Sequence, residues 1–294
     1  MLYIYRTQAS TGARDLAEAV TRNCRSLTDL HQAHYQTGVR AGDSVVCWGA
    51  TFAGVAGVKS LNNKPFSTKF TDAQRLKTAG VATVEVSQLQ PQAVAMEDPA
   101  IPIFESALLQ AAEFRNTRLA RSRPFRDGVT LFQRTLNDLL TATNQPAPVA
   151  QPQGEWVGRR FNHVGGNDLL RPAADPEYFV KKENIVEEYR VHSFLGKSIR
   201  AGVKKHREGF AHPNPWIRSY DGGWRIVYDG FKSKESMRGL AAKAVEALGL
   251  DFGAVDIGKK ADGTLIVLEV NRAPGLEGGT TEAYAKAIEG WLTA

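Results

Sequence analysis

The chain has 294 residues, 43% hydrophobic and 23% charged. That is enough apolar side chain for a real core in two or three lobes, and it excludes global disorder. A net charge of +6 and a pI near 9.3 favour anionic partners, which include nucleotides, polyphosphates, nucleic acid and acidic peptides.

The first residues, MLYIYR, lack the basic start and long apolar run of a secretory signal, and Leu2 to Tyr5 read as a short strand. Residues 13–22 (ARDLAEAVTR) read as a helix, and Ser44 to Trp48 (SVVCW) as a buried strand ending in Gly49. This order predicts a small α/β lobe. Its two cysteines, Cys24 and Cys47, form no CxxC pair and suggest no disulfide framework. Thr71 is the expected N-cap of the helix DAQRLKTA, Gly80 its stop, and VATVEV a returning strand. The proline-bearing stretches QLQPQAVAMEDPAIP and TATNQPAPVAQPQGE read as loops around a helical region from about Phe104 to Leu140. There Arg115, Arg118, Arg121, Arg123 and Arg126 recur at near-helical spacing. The stripe is either a solvated helix face or a docking surface for a polyanionic acceptor such as nucleic acid, although no aromatic-interleaved RNA-binding signature accompanies it. From Trp156 onward WVGRRF, ENIVEEYRVHSF, SIRAGV, WRIVYD, FGAVDIG and TLIVLEV are strand-like, and helices at about 235–248 and 281–292 close the chain. No apolar stretch approaches the ~20 residues of a membrane span, so a cytoplasmic protein without a membrane partner is expected.

The segment FGAVDIGKKADGTLIVLEVNRAPG places two apolar strands around Asp262-Gly263, a strong hairpin signal. If these two residues are the loop, Asp256 lies directly opposite Glu269, and Asn271 shares the face of Glu269. Like charges so placed destabilise a hairpin, and a cation would resolve the conflict. On that reasoning, neutralising either carboxylate should relieve repulsion in the absence of metal. Two carboxylates and an amide oxygen are hard ligands suited to Mg²⁺ or Mn²⁺, with phosphate oxygens completing the shell. The alternative is an ordinary acidic strand edge.

Upstream, EEYRVHSFLGKSIRAGVKK reads as a hairpin turning near Gly196-Lys197. Alternation puts Glu188, Arg190 and His192 on one strand face, and Arg200 and Lys204 together on the next, with Val191, Ile199, Ala201 and Val203 packing behind. Such a face could grip a nucleotide, with cations on phosphates and the carboxylate on ribose, or it could simply be solvated. His192 could equally be structural, and no second His or Cys stands at zinc-ligand spacing. WVGRRFNHVGGNDLL places Gly165-Gly166 just after a strand, where backbone N–H groups can approach phosphates. The spacing is neither a P-loop nor a dinucleotide fingerprint.

These motifs together resemble the ATP-grasp superfamily, and more closely its carboxylate–amine ligase branch, which includes the ribosomal-protein glutamate ligases. The resemblance is carried by LGLDFGAVDIGKKADGTLIVLEVNRAPGLEGGTTEAYAKAI, by EEYRVH and the HVGG loop, and by TKFTDAQRLKTAGVAT. It covers about 67–87 and 155–294. It implies an ATP-grasp fold of mixed α+β and α/β character, with a nucleotide held between two α+β lobes. An N-terminal α/β lobe would span 1–66. A central lobe would span 67–180, with an Arg-rich helical insertion at about 88–154, and a C-terminal lobe with the metal site 181–294.

The resemblance further implies metal ligands at Asp256, Glu269 and Asn271, a ribose-binding acid at Glu188 and an adenine-side hinge from Lys181 through Lys182 to Glu183. Lys69 would face phosphate, and Arg190 and Lys204 phosphates or the acyl group. Three departures stand out: Arg159 and Arg160 where a lysine is usual before the glycine loop, no asparagine in IRSYDGGW, and Arg272 after Asn271 where small residues are common. The expected activity is ATP-dependent amide formation through an acyl phosphate, with Arg190, Lys204 and Arg160 offsetting charge, and with small-molecule or peptide carboxylates and amines as substrates. A ligase modifying a protein tail or nucleobase, and a nucleotide-binding protein without ligase activity, are the alternatives.

Overall fold

Strand β1 (Leu2–Arg6) runs parallel to both β2 (Cys24–Thr28) and β3 (Ser44–Trp48), and β4 (Lys59–Leu61) extends the sheet in the order β2-β1-β3-β4. Helix α1 (Gly12–Ala19) carries the chain from β1 to β2. LYIYR and SVVCW are near-continuous apolar runs because this parallel sheet is covered on both faces. Leu2, Ile4, Val46 and Trp48 enter one core cluster, and Tyr3, Tyr5, Val45 and Cys47 another. The computed structural model describes residues 1–7, 10, 12–21, 23–28, 38–88, 156–161, 176–210, 218–220, 222–277 and 279–294. All of these belong to one compact unit. The Arg115–Arg126 stripe and the Gly165-Gly166 loop lie outside the described residues.

Helix α2 (Lys69–Thr78) begins at Thr68, not at Thr71 as expected: the Thr68 hydroxyl accepts from the Thr71 amide at 3.1 Å, so Thr71 sits in the first turn. Its end is as expected. Gly80 adopts φ +70°, and the amides of Gly80 and Val81 close back on Lys77 and Leu76. VATVEV contributes a single bridge, Thr83 to Val267, and then the two-residue strand β5 (Val86–Ser87). β5, β7 (Tyr178–Lys181) and β6 (Trp156–Arg159) form an antiparallel sheet in the order β5-β7-β6.

The largest sheet is antiparallel, in the order β10 (Trp224–Val227), β9 (Lys197–His206), β8 (Ile185–Phe194), β11 (Phe252–Lys260), β12 (Leu265–Asn271). Alternation gives it two unlike faces. Tyr189, Val191, Val255, Ile257 and Val267 pack against Met237, Ala241, Ala244 and Val245 of helix α3 (Glu235–Ala247). The opposite face carries the charged residues. Helix α4 (Thr280–Thr293) buries Tyr284, Ile288 and Trp291 in the same cluster as Leu2, Ile4 and Trp48.

Both predicted hairpins form, with different turns. The β8–β9 loop is Leu195-Gly196, with φ +47° and +75°, one residue earlier than expected. A β-bulge after His192 moves Ile199 out of the Val191 face and against the other core cluster. The β11–β12 turn spans three residues, not two: Lys260 pairs across to Thr264, and Gly263 takes φ +87°. That would shift the register by one, but a bulge between Asp256 and Ile257 shifts it back, and Asp256 does face Glu269.

Candidate active site

Three cross-strand rows build the charged face. In the central row Gly202 (β9), Arg190 (β8), Asp256 (β11) and Glu269 (β12) stand opposite one another in turn. On one side lie Arg200, His192, Ala254 and Asn271; on the other, Glu188 pairs with Gly258. The glycines of these rows admit apolar neighbours, Ile226 and Tyr228 over Gly202, and Ile185 and Leu268 over Gly258.

The carboxylates opposed across β11 and β12 are each neutralised by a cation. Arg190 grips Asp256 with two hydrogen bonds, from Nε at 2.6 Å and Nη2 at 2.8 Å. Lys69, the first residue of α2, reaches Glu269 with Nζ at 2.6 Å. The Asn271 amide donates to the other Glu269 oxygen at 3.0 Å. Burial opposes ionisation of Glu269, but the Lys69 charge and hydrogen bond, then Asn271 and Arg190, outweigh it and hold its pKa at about 2. Burial also works against the Arg190 cation, and Asp256 more than offsets it, so Arg190 stays firmly protonated. Lys204 donates to Glu188 at 2.6 Å, and Arg218 approaches the other Glu188 oxygen at 3.5 Å while donating to the Ile185 carbonyl at 2.7 Å.

The structure therefore brings together Lys69, Glu188, Arg190, Lys204, Asp256, Glu269 and Asn271, with each cation seated on a carboxylate. Lys181 closes β7 and pairs with Glu85 at 3.3 Å, Lys182 follows it, and Glu183 pairs with Lys260 at 2.7 Å. Arg160 lies exposed just past β6, in the three-stranded sheet. His192 is fully buried between the hydroxyls of Tyr284 and Tyr228, at 3.2 and 3.0 Å. Burial first, then the charges of Arg190 and Arg200, push its pKa down to about 3, so it is a neutral structural histidine.

Two participants had no readable role in the sequence. Arg218 reaches Glu188 from a segment with no periodic pattern. Arg272 binds the Pro65 carbonyl and the Ser67 hydroxyl and stands 3.9 Å from Asp72, tying the end of β12 to the segment that launches Lys69. Its position after Asn271 marks it as a departure from the family pattern, but contacts with residues two hundred positions away are invisible to spacing.

Asp256 and Glu269 offer hard oxygens in direct register, and turning over the Asn271 amide would present a third. Among the described residues no group of three His, Cys, Asp or Glu forms a metal cage. The donor set thus fits a divalent cation whose shell is completed by ligand oxygens.

No protein-family model matches the chain, and no curated protein sequence does. Solved structures do. The ATP-grasp ligase PsnB complexed with a minimal precursor superposes with a TM-score of 0.55 at 12% identity, covering 98% of each chain. The D-cycloserine synthetase DcsG matches at 0.55 and 15% identity, over 99% of this chain and 100% of its own. D-alanine–D-alanine ligase from Bacillus anthracis complexed with ATP matches at 0.56 and 12% identity, over 100% of this chain and 98% of its own. Sequence identities this low, over nearly the full length, identify the architecture: the chain has the ATP-grasp fold.

Proposed function

We propose that the chain is an ATP-dependent carboxylate–amine ligase, ADP-forming, acting through the face that carries Asp256 and Glu269. The reading rests on one observation: two carboxylates in direct register across β11 and β12, each held by a site cation, in a protein of this fold. Asp256, Glu269 and Asn271 would hold Mg²⁺ or Mn²⁺, which would offset charge on phosphate oxygens. Arg190, Lys69 and Lys204 would then exchange their carboxylate partners for phosphate oxygens, keeping every charge compensated. Glu188 would meet ribose, Lys181 to Glu183 would line the adenine side, and Arg160 and the backbone amides of Gly165 and Gly166 would bind phosphates. The substrate carboxylate oxygen attacks the γ-phosphorus and ADP leaves; the amine then attacks the acyl carbon, phosphate leaves, and an amide forms. Positioning and electrostatics supply the rate enhancement, and no protein nucleophile takes part.

Among the structural relatives, PsnB is complexed with a precursor, and the other two are a D-alanine–D-alanine ligase and a D-cycloserine synthetase. This range supports peptide or small-molecule acceptors for this chain. A screen for ADP release across carboxylate and amine pairs, with mass spectrometry of products, identifies the substrates. Lys204→Met should cut kcat by ~10²–10³-fold with a smaller change in ATP affinity. ATP binding without ADP release for any pair would instead favour a nucleotide-binding protein lacking ligase activity.

A further inference from the structure

In the candidate active site Lys69, Arg190 and Lys204 each face a carboxylate. The loop end of the β9–β10 hairpin is built differently. Lys205 and Arg225 stand directly opposite each other in register. Both are exposed, and neither has a hydrogen-bond or ion-pair partner among the described residues. Like charges directly opposite destabilise a strand pair, so this position is costly unless an anion joins it.

Two residues beyond Lys205, aromatic rings stand around Arg207. The Arg207 guanidinium lies between the rings of Phe210 and Tyr220, 4.7 Å from each centroid, and Nη2 donates to the Tyr220 carbonyl at 2.9 Å. Cation–π contact thus fixes one face of each ring. Phe210 also packs over Gly223 and meets the His206 ring edge-on at 6.4 Å, whereas Tyr220 is 66% exposed, and burial of apolar area does not account for a ring this exposed. On the next row Trp224 pairs with His206, their rings 5.2 Å apart, and Arg218 lies 4.9 Å over Trp224. In 205–210, 218–220 and 222–225 Glu208 alone carries negative charge, and Asp221 follows Tyr220 in the sequence.

We propose that this end of the hairpin binds single-stranded nucleic acid, with phosphates at Lys205 and Arg225 and a base stacked on Tyr220. An open ring face beside unpaired cations is what single strands use, because every base has a face to stack while the backbone supplies the charge. An acidic peptide would satisfy the cations and leave the ring idle. A duplex keeps its base faces hidden. The inference deepens the ligase reading by giving it a polyanionic acceptor surface, and it rests on that reading only for what is modified, not for binding.

The test is fluorescence anisotropy of a labelled oligothymidine of about 12 nucleotides on the full-length protein, titrated with salt. Tyr220→Ala should weaken binding by roughly 10-fold, and Tyr220→Phe should restore it. The double change Lys205→Ala with Arg225→Ala should lower the slope of log K against log salt by about 1.4, since each single-strand phosphate that a cation neutralises adds about 0.7. MgATP affinity should stay the same in all three. Unchanged oligonucleotide affinity in both alanine variants overturns the proposal. So does equally tight binding of a duplex, or displacement of the oligonucleotide by a polyglutamate peptide with the same sensitivity to Tyr220→Ala. ADP release with small substrates is read in parallel: its absence with binding retained removes the ligase reading and leaves this surface standing.

Discussion

Asp256 and Glu269 stand opposite each other as expected from the sequence, but the consequence of neutralising them reverses. Their mutual repulsion is answered by Arg190 and Lys69, so removing a carboxylate charge strands a cation. Asp256→Asn leaves the largely buried Arg190 guanidinium without its ion-pair partner and should lower unfolding stability by roughly 1–3 kcal/mol. Glu269→Gln strands Lys69, which is more exposed and can turn to water, and should cost less than about 1 kcal/mol. Urea unfolding without nucleotide compares the two; a more stable Asp256→Asn would contradict the pairing. His192 makes a second prediction. Its pKa is about 3 in the fold against an ordinary 6.5, under burial and the charges of Arg190 and Arg200, with Tyr228 and Tyr284 as its hydrogen-bonding neighbours. Between these values the unfolded chain binds the proton and the folded chain does not. The contribution is therefore fully present above about pH 6.5 and is lost as pH falls, at roughly 1.4 kcal/mol per unit. His192→Gln should flatten the stability–pH curve between about pH 4.5 and 6.5. Parallel curves for the two proteins would rule this histidine out as a source of acid sensitivity.

At the scale of elements, the hairpins decide the site, and their turns were the least legible part. Asp262-Gly263 is a genuine turn signal, yet the loop that forms is Ala261-Asp262-Gly263, with the Thr264 amide donating to Asp262 at 2.9 Å. The predicted opposition of Asp256 and Glu269 holds because the extra turn residue and the bulge cancel. A bulge answers to local packing, and apolar alternation carries no mark of it. The β8–β9 loop is tighter: Leu195 takes φ +47° beside Gly196 at +75°, the two-residue geometry that favours Asn-Gly. Leu195 is 46% exposed, so little packing compensates its strained backbone. Leu195→Asn should stabilise the protein by about 0.5–1 kcal/mol in chemical denaturation, because asparagine tolerates this conformation better. A loss of stability would show that the Leu195 side chain contributes more than its exposure indicates.

On the scale of the whole molecule, the N-terminal α/β lobe shares its core with the far end of the chain. Trp48 stacks on Phe252 at 5.1 Å and meets Tyr284 edge-on at 4.9 Å. Buried Asn62 accepts from the amides of Asp251 and Phe252 and donates to the Phe252 carbonyl, and Lys59 donates to the Trp291 carbonyl. Residues 67–294 expressed alone would expose Phe194, Phe252, Tyr284 and Trp291 of this cluster. That fragment should be insoluble or bind a hydrophobic dye strongly, and Trp48→Ala in the full chain should cost about 3–5 kcal/mol. A soluble, cooperatively unfolding fragment would establish the C-terminal part as independently stable. No helix among the described residues is long and apolar enough to cross a membrane.

The sequence alone marked β6, β8 to β12 and the two closing helices, and most of the faces their side chains take, but it missed β7 (Tyr178–Lys181) and misplaced Ile199. Period-two alternation is a local property, and Glu188, Arg190 and Lys204 follow from it directly. It also marked Asp256, Glu269 and Asn271 as a group, although their register comes from a longer turn and a bulge that cancel. Only the tertiary structure decided which charge answers which. Lys69 meets Glu269 from 200 residues away, Arg272 holds the start of α2, and Arg218 closes on Glu188. Likewise Phe210 and Tyr220, separated in sequence, meet on either side of Arg207 only once β9 and β10 pair. Ion pairs and ring stacks depend on distance in space, and a sequence specifies that distance only through the fold it adopts.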